Sequence, residues 1–293
     1  LHRSDLIDLL LRAATDAGVT VRLLSRIALV DLSGARPAVQ LDTGERLETP
    51  LLIGADGLHS QVRAALNGPG QPFFTRQVAW RAVIPCESGA TPVVEVHMGP
   101  RRHLVTYPLR GGTLRNIVAV EERAKWAEES WNLRDDPLDL RLAFEGFSPR
   151  VRGWLDRVED PWLWGLFRHP VAATWVRPMG QGGVAILGDA AHPTLPFLAQ
   201  GASMGLEDAW VLADTLARHD TPAAALSAYQ ALRKPRATRI VAAANSNARA
   251  YHLSGLPRAI GHTGLRLLSR VSPGMMMGRF DWLYDHDVTQ TRI

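Results

Sequence analysis

The stretch GDAAHPTLPFLAQGASMGLEDA, running from Gly188 to Ala209, decides how this chain is read. The apolar run Val184 to Leu187 leads into it and has the length of a short buried strand. Gly188 then gives a turn carrying one carboxylate, Asp189. A loop punctuated by Pro193 and Pro196 follows, and a helix opens at Gly201. Each part suits a polar, electron-accepting ligand. Asp189 accepts hydrogen bonds from sugar-like hydroxyls. Glycine at 201 has no Cβ to hold a flat ring away. The first-turn N–H groups near Gly201 to Met204 lack intrahelical acceptors and favour negative charge. His192 follows the acid directly, either as a general base or as a structural member of the loop.

An earlier stretch, LLIGADGLHSQVR from Leu51 to Arg63, repeats the device. Leu51 to Ile53 reads as a buried strand, Gly54 to Gly57 as a tight turn bearing Asp56, and Ser60 as the N-cap of the next helix. Alone this is a weak signal; ahead of the Gly188 stretch, in this order, it becomes specific.

Together the two stretches resemble the Asp-Gly and Gly-Asp motifs of the class A FAD-dependent aromatic monooxygenases, the family of para-hydroxybenzoate and salicylate hydroxylases. The resemblance implies an α/β fold: a FAD-binding, Rossmann-like layer of glutathione-reductase type, an inserted antiparallel-sheet substrate domain and a helical C-terminus. It implies that Asp189 holds the ribityl chain and that the amides around Gly201 face the isoalloxazine, with Gly188, Gln200 and Ala202 in the same site. Asp56 and Gly57 then lie near both FAD and the nicotinamide dinucleotide. Arg3, in LHRSDLIDLL, matches an arginine that contacts FAD; a helix N-terminus would itself prefer an acid there. Tyr107, within HLVTYPLRGGTLRNIVAV (His103 to Val120), takes the place of a sheet tyrosine that reaches the substrate pocket. Trp80 and Arg81 match a Trp-Arg pair, in which Trp80 reads as packing and Arg81 is given no role. Pro196 and Phe197 wall the pocket beside the ring. Tyr107, Pro196 and His192 are thus the residues assigned to chemistry. The implied reaction uses NADH or NADPH and O2 to hydroxylate a small phenolic or hydroxybenzoate-like ring through a C4a-hydroperoxyflavin. A homodimer contact in the C-terminal region is also implied.

Around these motifs, Ser4 is a candidate N-cap for a helix carrying Leu6, Leu9, Leu10, Ala13, Ala14 and Ala17, closed by Gly18. No G-x-G-x-x-G occurs, so the resemblance reads the chain as an N-terminally truncated member whose first βαβ unit is missing. Two other readings stay open: a non-catalytic fragment, and a non-aromatic, ubiquinone-pathway-like flavin monooxygenase. Strands are expected at Val19 to Leu23, Ile27 to Leu32, Ala38 to Leu41, Arg46 to Thr49, Val78 to Ile84, Val93 to Met98, His103 to Tyr107, Asn116 to Val120 and Trp162 to Phe167. Helical tendency marks Glu121 to Arg157, Ala223 to Leu232 and Arg236 to Ala250. The expected domains are 1–67 and 175–245 for FAD, 68–174 for the substrate sheet, and 246–293 as a helical tail.

Composition sets the outer limits. The 293 residues are 46% hydrophobic and 21% charged, which are globular values. The formal charge of +4 is carried by scattered arginines, with Lys125 and Lys234 the only lysines, so no nucleic-acid surface is expected. No long apolar run suggests a membrane span. The single Cys86 precludes an internal disulfide and suits a reducing, cytoplasmic setting. The histidines show no metal spacing, and a hydrolase G-x-S-x-G is absent. Trp162-Leu163-Trp164 looks like part of the flavin halogenase motif, but Gly165, Leu166 and Phe167 follow, so its Ile-Pro is missing.

Overall fold

The computed structural model describes residues 2–123, 133–253 and 280–290, together with positions 255, 257, 260, 261, 263, 264 and 278. The chain divides into two compact units. One, the sheet unit, comprises Leu1–Leu23, Phe74–Phe167 and Arg249–Ile260; the other, the strand-helix unit, comprises Leu24–Phe73, Arg168–Ala248 and Gly261–Ile293. The boundaries differ from those read in the sequence, because the opening helix groups with the antiparallel sheet.

That helix, α1 (Arg3–Asp16), buries none of its residues. Its N-cap is His2, whose side chain accepts from the Ser4 amide, so Ser4 sits inside the helix rather than at its cap. Arg110 grips Asp5 of this helix with a two-pronged fork at 2.7 and 3.0 Å. Val19 to Leu23 does not form the expected strand. Among the described residues no strand pairs with it, and the run stays irregular and largely exposed.

The sheet unit is built on five antiparallel strands. Labelled in chain order after β1–β4 of the other unit, they are β5 (Phe73–Pro85), β6 (Glu95–Gly99), β7 (Arg102–Leu109), β8 (Leu114–Glu122) and β9 (Trp162–Arg168), ordered β6-β7-β8-β5-β9. The two faces follow from the period of two along a strand. Val78, Trp80 and Ile84 of β5, Leu104 of β7, and Ile117 and Ala119 of β8 point to one side. They pack there on two helices, α3 (Pro137–Ala143) and α4 (Pro149–Leu155), through Leu140, Phe144, Val151, Trp154 and Leu155. Ser148 and Asp136 cap these helices, each followed by proline at the first turn. The Trp80 indole N–H donates to Asp135 at 2.7 Å, so its burial leaves no orphan donor. Register places Gln77, Arg81, His103, Tyr107 and Glu122 on the opposite face.

The strand-helix unit holds two small sheets. One is the antiparallel set β1 (Ile27–Asp31), β2 (Ala38–Leu41) and β3 (Arg46–Glu48). The other is ordered β10-β11-β4, with β4 at Leu51–Gly54, β10 at Val176–Met179 and β11 at Gly182–Ile186. Strands β11 and β4 run parallel, Gly183 facing Leu51 and Ile186 facing Gly54. Helices α2 (Gln61–Asn67), α5 (Gly201–Arg218) and α6 (Pro222–Tyr251) complete this layer, and a short α7 lies at Asp281–Tyr284. The core gathers Trp175, Val184 to Ile186, Met204, Val211, Leu226, Tyr229 and Ile240. Residues 222–251 form one helix with Pro235 inside it, where the sequence suggested two. Residues Met275 to Met277, weighed as interface or core, lie outside the described residues.

At one end of the polar sheet face, His103 and His252 share a hydrogen bond of 2.6 Å between Nδ1 and Nε2. His252 Nδ1 lies 2.9 Å from Glu122 and 3.2 Å from the Gln77 amide, and Arg101 pairs with Glu122 at 3.1 Å. Burial lowers the affinity of both imidazoles for a proton, and His252 lowers that of His103 further, to about 3. An unfolded histidine binds its proton near 6.5. Below that pH the unfolded chain therefore holds more protons than the folded one, and stability falls as pH falls until about 3. Urea unfolding followed across this window is expected to show that slope. His103→Gln is expected to remove its share, on the order of 1.4 kcal/mol per pH unit.

Candidate functional site

In the strand-helix unit the parallel pairing of β4 and β11 brings both acid-bearing turns to the same, carboxyl-terminal edge. The Leu187 amide donates to Gly54 O at 3.0 Å, so the strands are still paired where the turns begin. Open α/β sheets present ligands with the groups at this edge.

The first turn organises α2. Asp56 accepts from the Ser60 hydroxyl with one carboxylate oxygen, and from the Gln61 and Val62 amides, at 2.7 and 3.2 Å, with the other. Ser60 caps the same helix by accepting from the Arg63 amide at 2.8 Å. Gly57 takes φ +76, a left-handed conformation that glycine adopts without strain, and a Cβ there would meet nothing within 4 Å. Arg63 then reaches the second motif. Its guanidinium donates to Ala190 O at 3.2 Å and to Pro170 O at 2.6 Å, tying α2 to the turn that bears Asp189.

The second turn is a single 3₁₀ turn, Gly188–Ala190, with Gly188 at φ +58 and buried. Its Cα lies against Gly205 of α5, where an added Cβ at 188 would come to 3.9 Å, so turn and helix cross closely. Asp189 is exposed beyond this crossing. Pro196 is exposed and Phe197 buried in the next 3₁₀ turn. Ala199 follows at φ +53, a strained conformation for a residue with a Cβ. Gln200 then starts α5 without a side-chain cap, and the first turn contains no acid. The positive end of an 18-residue helix is thereby left to whatever faces Gly201, Ala202 and Ser203. A Cβ at Gly201 would sit at an ordinary 3.5 Å from Thr194, so packing within the protein does not demand glycine there.

His192 carries two readings, a general base or a structural member of the loop. The side chain is 0% exposed, stacked 5.2 Å from Trp175, and its Nε2 is hydrogen-bonded to Asp208. A ring sealed in this way fits the second reading, a structural member of the loop, rather than a general base. Asp208 is the residue that sequence reasoning missed. Its carboxylate also accepts from the Gly188 amide at 2.9 Å and from Arg233 Nε at 2.8 Å. Burial raises the proton affinity of this carboxyl, yet the hydrogen bond from His192, with the nearby cationic groups, carries the net shift below the ordinary value. The missed signal was present: Met204, Asp208, Val211, Leu212 and Thr215 form the buried face of α5, and an acid in an apolar stripe requires a partner.

In the sheet unit Tyr107 is half-buried on β7. Two strands away and on the same face, Arg81 lies with its guanidinium 4.6 Å from the centroid of the Trp164 ring. Burial lowers the Arg81 pKa; Tyr107 raises it and Arg3 lowers it, so the three act on one another electrostatically. Arg3 is exposed at the start of α1. The structure thus groups Arg3, Arg81 and Tyr107 in one unit, and Asp56, Gly57, Gly188, Asp189, Pro196, Gln200, Gly201 and Ala202 in the other. Among the described residues no group of side chains has metal-binding character, and no helix is long and apolar enough to cross a membrane.

Comparison with known proteins fits this layout. Residues 1–244 match the model of the family described as FAD binding domain. The chain is 34% identical to 3-hydroxybenzoate 6-hydroxylase of Klebsiella oxytoca, over 89% of this chain and 66% of that protein. It is 32% identical to the 3-amino-4-hydroxybenzoate 2-monooxygenase PtnB3 of Streptomyces platensis, over 82% of this chain and 60% of that protein. A solved salicylate hydroxylase substrate complex superposes on 99% of this chain and 74% of its own, with a TM-score of 0.79 and 23% identity, which shows a shared fold. The chain belongs to the FAD-binding domain family. It spans 60% to 66% of the length of these two relatives.

The double cap on α2 is directly testable. Asp56→Ala is expected to destabilise the strand-helix unit by about 1–2 kcal/mol in urea unfolding, with Ser60→Ala costing about 1 kcal/mol. Equal stability of Asp56→Ala and wild type would remove the capping role.

Proposed function

We propose that this chain serves the hydroxylation of a small aromatic acid, hydroxybenzoate-like, with FAD as cofactor and NADH or NADPH and O2 as co-substrates. The observation that carries the reading is the common edge of β4 and β11, where two acid-bearing turns meet and the Asp189 turn packs against α5 near its start, which has neither a side-chain cap nor an acid in its first turn. Those residues fit a flavin: an uncapped helix start without an acid, a glycine that packing does not require, and an exposed carboxylate one crossing away. When bound, FAD supplies the electron transfer and oxygen activation of the reaction.

The protein's own part is binding, orientation and charge. Asp189 accepts hydrogen bonds from the polyol hydroxyls of the cofactor. The amides of Gly201 and Ala202 stabilise negative charge on its ring system, and Gln200, Gly188 and Pro196 frame the same approach. Asp56 and Gly57 act from the neighbouring turn, with the Asp56 carboxylate holding α2 in place. For the substrate, Arg81 is the group that recognises a carboxylate, and Tyr107 orients a ring hydroxyl by hydrogen bonding. Trp164 shields one face of the Arg81 guanidinium, which strengthens its attraction for an anion. Arg3 adds positive charge. The names of the relatives, all hydroxylases of aromatic acids, support this substrate class. The single Cys86 supports a reducing compartment.

Purified protein mixed with FAD and desalted is expected to stay yellow, and Asp189→Ala to lose the bound flavin. Wild-type protein that emerges colourless would refute the cofactor reading. In the active enzyme, Arg81→Met is expected to raise KM for a hydroxybenzoate about tenfold or more, with a smaller change in kcat. An analogue lacking the carboxylate should be indifferent to the substitution.

A further inference from the structure

The Asp208 carboxylate stands behind the Asp189 turn. It is 0% exposed, as is His192, and Arg233 beside it is 2% exposed. One oxygen of Asp208 accepts both the Gly188 amide and His192 Nε2; the other accepts Arg233 Nε. Arg233 continues to Glu207 at 2.6 Å, and Arg236 forks onto the same Glu207 at 2.9 and 3.0 Å. Arg236 also donates to the carbonyls of Trp282 and Leu283 in α7, at 2.9 and 3.2 Å. His192 Nδ1 and Arg233 Nη2 meet no hydrogen-bond partner among the described residues.

Stability alone does not account for this arrangement. One buried and one part-buried acid against two arginines roughly offset their desolvation, and well-packed apolar residues would hold α5 to α6 at least as well. What apolar residues cannot do is accept two N–H groups at one point. Gly188 has φ +58, and its amide and carbonyl are both engaged: the amide on Asp208, the carbonyl by the amides of Ala191 and His192, each at 2.9 Å. The conformation of the turn is therefore fixed from both sides, and the next residue along is Asp189.

We propose that Asp208 is a positioning residue: by accepting the Gly188 amide and His192 Nε2 on a single oxygen, it sets the turn that presents Asp189 to the cofactor. Arg233 and Glu207 balance its charge and hold it against α6. This role rests on the flavin reading above for its consequence, but the geometry it asserts exists without ligand.

The test compares two charge-neutral pairs in the full chain. Asp208→Asn with Arg233→Met keeps an acceptor for Gly188 and His192. Asp208→Leu with Arg233→Met keeps the volume and removes the acceptor. The Asn pair is expected to bind FAD within about threefold of wild type, with an unchanged flavin absorbance spectrum. The Leu pair is expected to bind about tenfold or more weakly, with a shifted spectrum, at a melting temperature close to that of the Asn pair. Equal FAD affinity in the two pairs would overturn the proposal. Hydrogen exchange at the Gly188 amide gives a reading that needs neither cofactor nor the Leu pair. Strong protection in wild type and in the Asn pair supports the role, and rapid exchange in wild type overturns it. If wild-type protein binds no FAD but exchange at Gly188 accelerates only in the Leu pair, the flavin reading fails while the positioning of the turn stands.

Discussion

The parallel pairing of β4 with β11 is the constraint on which the candidate cofactor site depends. Glycine lets β11 approach the residue that precedes β4, and lets α2 pack against β4. A Cβ on Gly182 would stand 1.7 Å from Pro50 O, and one on Gly54 would stand 2.6 Å from the Val62 side chain. Neither clash can be relieved by rotating a flexible side chain, since the first is with backbone and the second with a β-branched residue packed in the core. With those glycines in place the strands end together, and the Asp56 and Asp189 turns emerge at one edge. Arg63 then fastens one turn to the other through Ala190 O. The site is a consequence of backbone proximity before any ligand chemistry enters.

A different economy governs the sheet unit. Its strands sort side chains between two faces by alternation, although Arg115 is buried on the first face and Val118 and Val120 on the second. One face buries Trp80, Leu104 and Ile117 beneath α3 and α4, and the other carries Arg81, Tyr107, His103 and Glu122. A shift of register by one residue would exchange the two sets, exposing the tryptophan and burying the arginine. Each side of that exchange costs several kcal/mol, so the same hydrophobic pattern that builds the core also fixes where the arginine and tyrosine stand.

Much of this was legible in the residues. The strand-turn-helix rhythm of Leu51 to Arg63 and of Val184 to Ala209 marked both turns, and Ser60 caps α2 as its position suggested. The antiparallel strands from Val78 to Val120 were visible as strand-like runs at hairpin spacing with glycine breaks. Other features were hidden for physical reasons. Strand β10, Val176–Met179, contains a proline and two exposed positions, so its sequence has no strand signal; it exists because β11 offers it a partner. Val19 to Leu23 has the composition of a strand, yet among the described residues no strand pairs with it. The helix over 222–251 runs through Pro235, where local propensity argues for a break. Arg233 and Arg236, on either side of the proline, are each anchored to Glu207, and such tertiary anchoring outweighs the lost hydrogen bond. The residue type of His192 left a base and a structural member of the loop both open, and its buried contact with Asp208 favours the second.

The buried charges show how local chemistry and global packing meet. Asp208 lies on the apolar stripe of α5, where a leucine would satisfy the helix equally well. The acid there requires Arg233 from α6, the arginine requires Glu207, and Glu207 draws in Arg236, which caps carbonyls of α7. Three helices and one turn are thus placed relative to one another by directional contacts. Dispersion between apolar side chains would allow each to slide; a carboxylate with three donors at fixed angles does not. That directionality matters most at Gly188, where a residue without a side chain has no packing of its own to hold it. The turn that carries Asp189 is therefore held from behind by a second acid, buried and hydrogen-bonded on both oxygens.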